Sequence, residues 1–286
     1  MTSMLDLHLG EREFVFLATL IKQQTGIVLG DNKREMLQAR LAKRVRQLKL
    51  GSFQEYCKLL TGPNGEAELG RTLNAVTTNL TRFFREPHHF EHLAQEALPK
   101  LIKRRAAEGQ RLRLWSAGCA SGEEPYTLGM VLHSVLPDVE RWDARILATD
   151  IDTDMIARGK IGRYEDSQAE LVPADIRARY LRHVADKPRQ IEVSDAIKRL
   201  IAFKPLNLLG PWPMKGPFDI IFCRNVVIYF DRETQLRLFA RFADMLADDG
   251  YLYIGHSESL YGLTNRFKLI GRTIHVKVLP GTAPAS

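Results

Sequence analysis

The sequence predicts an α/β protein: a doubly wound, Rossmann-like sheet that ends in an antiparallel hairpin, preceded by a small all-α domain and interrupted by a small β-subdomain. Three observations carry this reading. Apolar residues recur at helical spacing through the first eighty positions. From about Leu112, short apolar runs alternate with helical stretches, as a parallel sheet with right-handed crossovers requires. Where the first of those runs gives way to a helix stands a turn of small residues, Gly118 to Gly122, at the end of a strand where such sheets hold ligands.

Phe14, Leu17, Ala18 and Ile21 share one face of a first helix, which Gly26 is suited to stop. In "DNKREMLQARLAKRVRQLKL", Leu37, Leu41, Val45 and Leu48 form an apolar stripe, and seven Lys or Arg against two acids over residues 31 to 49 occupy the rest. That helix has a core face and a basic face. Ser52 followed by Glu55 makes a capping box for a third helix, which "TGPNG" ends, and a fourth leads to Val76. These elements define a helical domain over 1–78. The domain that follows, 79–286, draws its strands from "LRLWSA", "ARILATD", "KRLIAFKPLN", "FDIIFCRN", "GYLYIGHS" and "IHVKVL", the last two close enough to pair as an antiparallel edge hairpin. Polar sequence between Gly162 and Lys204 breaks the alternation and assigns the inserted β-subdomain to about 163–204.

With 45% hydrophobic and 26% charged residues and no repeat, the 286-residue chain has the composition of a folded globular protein rather than a disordered one. Its beginning lacks the basic flank and apolar core of a signal peptide, and no run approaches the ~18 apolar residues of a membrane span. The expected address is the cytoplasm, without membrane insertion. Cys57, Cys119 and Cys223, odd in number and far apart, read as reduced thiols. No C-x-x-C or H-E-x-x-H spacing occurs, and the adjacent His88 and His89 do not share a helical face, so no metal site is expected and both histidines read as surface or capping residues. The net charge of +7 calls for an anionic partner.

Four strand ends carry residues suited to a ligand. Gly118-Cys-Ala-Ser-Gly122 lets backbone approach a ligand closely, yet it is neither G-x-G-x-x-G nor a lysine-bearing phosphate loop, which argues against a dinucleotide or nucleoside triphosphate. Glu123 and Glu124 suit the dipole of the helix they open; they would also repel a pyrophosphate and attract a cation such as S-adenosylmethionine. Asp150 ends the second strand, where α/β nucleotide folds bind ribose hydroxyls, with a helix N-cap as the alternative role. Asn207, beside Leu208, offers an amide that reads an adenine edge or makes a turn. Arg224 and Asn225 follow an almost wholly apolar strand, where buried polar groups need partners and a ligand is expected. Upstream, "VTTNLTRFFREPHHF" sets Asn79, Thr81 and Arg85 beside paired phenylalanines, as a lid or as a linker capped at Pro87. A hydrolase built on Cys119 or Ser121 is disfavoured, because the stretch is not G-x-S-x-G.

Together, "TTNLTRFFREPHHF", "WSAGCASGEEPYT", "ATDID", "FCRNVVIYFD" and "GHSES", in that order between residues 77 and 259, resemble the CheR family of chemotaxis receptor glutamate methyltransferases. The resemblance implies a protein-glutamate O-methyltransferase that uses S-adenosylmethionine and releases S-adenosylhomocysteine. It implies that Asn79, Thr81 and Arg85 face the cofactor, that Glu124 meets its methionine portion, Asp150 its ribose, and Asn207 with Leu208 its adenine. Arg224 and Asn225 would complete the wall, and Arg85 and Tyr229 would stand near the transferred methyl group. The implied partner is the cytoplasmic signalling domain of methyl-accepting chemoreceptors, docked through the basic helix at 31–49 by Arg40, Lys43, Arg44 and Arg46. Some members also grip a receptor's C-terminal peptide tether through a glycine-bearing loop of the β-subdomain; "HVADKPRQIEV" has no glycine, which argues against tether binding here. A glutamate acceptor, with a pKa of about 4.3, arrives ionised, so the task is alignment rather than proton removal. Two other readings stand beside this one. A nucleic-acid methyltransferase is opposed by a basic helix without interleaved aromatics, so nucleic acid is not an expected partner. A catalytically silent adaptor is opposed by Arg85, Asp150, Asn225 and Tyr229.

Overall fold

A computed structural model describes residues 7–63 and 65–279, which divide into two compact units. The first holds residues up to Thr78 together with Tyr229–Asp231; the second holds the remainder.

In the first unit, helices α1 (Glu11–Thr25), α2 (Arg34–Gln47), α3 (Phe53–Thr61) and α4 (Gly65–Val76) enclose a core that includes Phe14, Leu17, Ile21, Leu37, Leu41, Val45 and Phe53. Gly26 takes the left-handed conformation (φ 77°) and donates its N–H to Lys22 O, closing α1 as glycine does best. Ser52 Oγ accepts from Glu55 N, but the Glu55 carboxylate reaches past the cap to Gly51 N, so the second half of the capping box is displaced by one residue. Phe230 bridges Ile27, and Tyr229 O accepts from Val28 N.

The basic face of α2 is smaller than the sequence suggests. Arg40 Nη1 donates to the Val76 and Thr77 carbonyls, which end α4 and have no helical donor of their own. Arg44 grips Glu68 through Nε and Nη2, and the buried Tyr56 hydroxyl donates to the same carboxylate. Two of the four residues assigned to docking therefore hold their own domain together, because a buried carboxylate and two orphan carbonyls need donors. Lys43 and Arg46 are exposed.

The second unit begins with α5 (Pro87–His92), a π-helical turn over Leu93–Ala97, and α6 (Leu98–Ala107). Then come β1 (Arg111–Ala117), α7 (Glu123–Val135), β2 (Asp143–Asp150) and α8 (Thr153–Ile161). A small antiparallel sheet follows, made of β3 (Arg163–Glu165), β4 (Leu181–Val184) and β5 (Lys187–Val193) in the order β3-β5-β4, with α9 (Ala174–Tyr180) ahead of β4. The chain returns through α10 (Asp195–Lys198) to β6 (Ile201–Pro205), β7 (Phe218–Cys223), α11 (Arg232–Met245), β8 (Leu246–Ile254), β9 (Phe267–Gly271) and β10 (Ile274–Lys277).

The main sheet has the order β6-β2-β1-β7-β8-β10-β9. Its first five strands are parallel, and β10 runs antiparallel to both β8 and β9. β10 is thus the expected antiparallel partner of β8, but the edge belongs to β9. That strand escaped the sequence reading because "FKLIG" does not alternate: Leu269 and Ile270 are both exposed. The insertion also closes earlier than residue 204, since Ile201–Pro205 already pairs with Ile146–Asp150 in the main sheet. From β1 the chain steps outward to β2 and β6, then crosses back to β7 on the other side of β1. The order reverses between β1 and β7, and the carboxyl ends of β1, β2 and β7 open side by side, where such sheets bind ligands.

Candidate active site

The turn after β1 is held by β2. Gly118 N and Cys119 N both donate to Thr149 O at 2.8 and 2.9 Å, and Trp115 Nε1 donates to Thr149 Oγ1. Gly118 (φ 85°) and Gly122 (φ 101°) take conformations open to glycine, and a Cβ on Gly118 would lie 2.3 Å from Val226 Cγ2. Asp150 ties this turn to its own strand end: Oδ2 accepts from Ala120 N at 2.8 Å and Oδ1 from Asp152 N at 2.9 Å. Burial raises its pKa, against the pull of those amides and that of Ile151 N. The N-cap of α8 is Asp152, whose Oδ1 accepts from Asp154 N and Met155 N and whose Oδ2 accepts from Asn79 Nδ2 at 2.6 Å. The cap of this helix is thus Asp152, and the N-cap alternative weighed for Asp150 does not hold.

Glu123 and Glu124 are not a bare pair of negative charges. Arg224 Nε donates to Glu124 Oε2 at 2.7 Å, and Ser116 Oγ donates to Oε1 at 2.7 Å. Glu123, with its pKa raised by burial, accepts from Ser121 Oγ and Gln168 Nε2. A carboxylate withdrawn from water needs an internal partner, and Glu124 has one in Arg224. Arg224 is engaged on its other side as well. Its Nη1 donates to Arg85 O at 2.5 Å, and its guanidinium lies over the Phe90 and Phe222 rings.

The upstream segment is anchored rather than loose. Phe83 is buried edge-on against Tyr164, Phe84 packs on Phe90, and Phe84 N donates to Thr127 Oγ1. Arg85 is half-buried and donates from Nη1 to Leu80 O; Thr81 is half-buried nearby in sequence. Asn207 Oδ1 accepts from Leu209 N, the turn reading of that residue, and Leu208 is buried with its carbonyl taken by Trp212 Nε1 and Arg241 Nη1. Asn225 is left-handed (φ 59°), and Tyr229, the last residue of the 3-10 turn Val227–Tyr229, is assigned to the first unit.

Three polar groups beside these residues were not singled out as site residues by the sequence. His89, expected on the surface, is fully buried: Nε2 faces Arg272 O and Thr273 Oγ1, and Nδ1 faces Arg224 Nη1. Nothing in the local spacing announces partners so far along the chain. Glu258 accepts backbone N–H groups from Gly255, Asn225, Val226 and Val227, and only its place in "GHSES" singled it out. Glu86 Oε1 accepts from His256 N and pairs with His256 Nδ1, which joins the upstream segment to the loop after β8. Among the described residues no group of three or more His, Cys, Asp and Glu is placed to hold a metal ion, and no helix is long and apolar enough to cross a membrane.

Against known proteins, the model of the CheR methyltransferase SAM binding domain matches residues 79–276, and that of the CheR methyltransferase all-alpha domain matches residues 12–77. The chain is 46% identical over 244 residues to a probable chemotaxis protein methyltransferase of Rhizobium etli, covering 85% of this chain and 91% of that protein. It is 39% identical over 272 residues to the chemotaxis protein methyltransferase of Escherichia coli, covering 94% and 92%, and 36% identical to chemotaxis protein methyltransferase 2 of Pseudomonas aeruginosa, covering 94% of each.

Proposed function

Because the chain belongs to the CheR methyltransferase family, and is a methyltransferase dependent on S-adenosylmethionine (SAM), we propose that it esterifies glutamate side chains of chemoreceptors in the cytoplasm. The bound cofactor supplies a methyl carbon made electrophilic by its sulfonium. The residues fit that cofactor in their chemistry. The Asp150 carboxylate, held by backbone amides at the carboxyl end of β2, has the chemistry to accept from a ribose diol. Small residues line the turn after β1, and Glu124, held in place by Arg224, presents a fixed carboxylate at the head of α7. Asn79 and Thr81 contribute from the upstream segment, and Asn207 and Leu208 from the loop after β6. The observation that carries the reading is the meeting of the Gly118 turn and Asp150 at the point where the sheet order reverses.

The acceptor needs no general base, since a glutamate is already ionised at neutral pH. What the protein contributes is orientation, which for well-aligned reactants is worth roughly 7 to 11 kcal/mol. Arg85 orients the acceptor carboxylate or the cofactor's own, and Tyr229 presents a ring face or hydroxyl near the methyl group. Lys43 and Arg46, the exposed cations of the α2 row, dock an acidic helical surface of the receptor and make encounter dependent on salt. The short β4–β5 turn, without glycine, is assigned no tether.

The test is incubation with methyl-labelled SAM and receptor-containing membranes, followed by mild base. Methyl esters release labelled methanol. Label that stays on nitrogen or on nucleic acid after base treatment would reject the reading.

A further inference from the structure

We propose that Glu258 is a positioning residue for methyl transfer, its single carboxylate holding the Arg224–Asn225 loop in the shape that receives the cofactor; the inference rests on that loop being part of the cofactor wall. β7 and β8 are neighbouring parallel strands with Cys223 level with Ile254, so the loops that follow them leave the sheet side by side. Glu258, only 6% exposed, lies in the second loop and gathers amides from both. Oε1 accepts from Val226 N and Val227 N, each at 2.9 Å, while Oε2 accepts from Asn225 N at 3.0 Å and Gly255 N at 2.5 Å.

Successive N–H groups converging on one point form the kind of concavity that elsewhere receives a phosphate. Here the chain supplies the anion itself. Without it, three consecutive amides in a partly buried loop would lose their acceptor. Asn225, in the left-handed region that asparagine tolerates better than most side chains, would lose the acceptor of its own N–H.

The loop is packed closely on both sides. A Cβ at Gly255 would lie 2.5 Å from Asn225 Nδ2, and one at Gly118 would lie 2.3 Å from Val226 Cγ2. Glu258 therefore fixes Val226, and Val226 abuts the glycine turn after β1. One carboxylate sets the separation of the two turns that flank the reversal of the sheet. Neither Arg224 nor Asn225 is freed to move without displacing that contact.

Glu258→Gln keeps the shape but turns an NH2 toward backbone N–H groups. The expected result, measured below the melting temperature, is at least tenfold weaker binding of S-adenosylhomocysteine by calorimetry, an equal rise in KM for SAM, and a KM for receptor membranes within twofold of wild type. Glu258→Asp, which keeps the charge but withdraws it by one methylene, should fall between. If either folded variant melts earlier yet binds S-adenosylhomocysteine as tightly as wild type, the residue is merely structural and the inference is overturned. Should neither variant fold, amide exchange in the wild-type protein decides: S-adenosylhomocysteine should slow the Asn225, Val226 and Val227 amides tenfold or more, and no slowing overturns the proposal. Wild type that binds no S-adenosylhomocysteine would instead overturn the proposed function, and this inference with it.

Discussion

Arg224 Nε and Glu124 Oε2 lie 2.7 Å apart, joining the end of β7 to the start of α7 through an ion pair almost wholly withdrawn from water. The attraction within such a pair is largely offset by desolvation of its members, so removing both costs less than removing either one. Glu124→Gln leaves the guanidinium charge uncompensated, although Glu86 Oε2 at 3.5 Å takes up a part of it. The loss in unfolding free energy should sit at the low end of the usual range, about 3 kcal/mol. Urea titration of Glu124→Gln, Arg224→Met and the double variant checks this. The double variant should lose clearly less than the sum of the two singles.

His89 makes stability depend on pH. Arg224 Nη1 must donate to Nδ1, so the ring proton sits on Nε2 and the ring is neutral despite Glu86 at 3.3 Å. Burial, then the charges of Arg224 and His88, hold its pKa down to about 3 from the ordinary 6.5. Below pH 6.5 the unfolded chain therefore takes up a proton that the fold refuses. Stability is complete above that pH and falls as the pH drops toward 3, by up to ~1.4 kcal/mol per pH unit. His275, lowered to about 4 by burial, adds a slope of the same sign. His89→Gln should remove about one proton's worth of the slope between pH 6.5 and 4.5, leaving those of His275 and of His92, which burial also lowers. An unchanged slope in urea titrations at several pH values would mean that His89 is protonated in the fold.

Arg85 separates activity from stability. Its guanidinium donates to Leu80 O within its own loop, and it is half-exposed, so Arg85→Ala should change unfolding free energy by no more than ~1 kcal/mol. If the guanidinium orients a carboxylate in the transition state, the same change should lower kcat about 100-fold or more. Tyr229→Phe tells ring from hydroxyl: full activity would assign the ring face, and a large loss would assign the hydroxyl.

Elements whose signal is local were legible. The stripes of α1 and α2, the Ser52 cap, Pro87 at the first turn of α5 and the apolar strands β1 and β7 each declare themselves within a dozen residues. Pairings across the chain were not. Glu124 and Arg224 stand 100 positions apart, and His89 and Arg272 183, so spacing showed polar groups in apolar surroundings without showing that they satisfy each other. β9 failed for another reason: an edge strand with both Leu269 and Ile270 exposed has no hidden face to imprint a period of two.

Arg241 holds the loop after β6 from outside. Its guanidinium carbon lies 3.8 Å from the centre of the Trp212 ring, Nη1 donates to Leu208 O at 2.6 Å, and Nη2 donates to Gly210 O at 2.7 Å. Desolvation lowers its pKa, and the two carbonyls and the indole face offset that cost. Lysine cannot stack flat on the indole while serving both carbonyls in a fixed fork. If Asn207 and Leu208 face the adenine, Arg241→Lys should loosen that loop and raise KM for SAM about fivefold to tenfold, equivalent to ~1–1.4 kcal/mol, with kcat within twofold. A fall in kcat at constant KM would move the 206–212 loop from cofactor binding to the reacting centre. No change in either would detach the loop from the site.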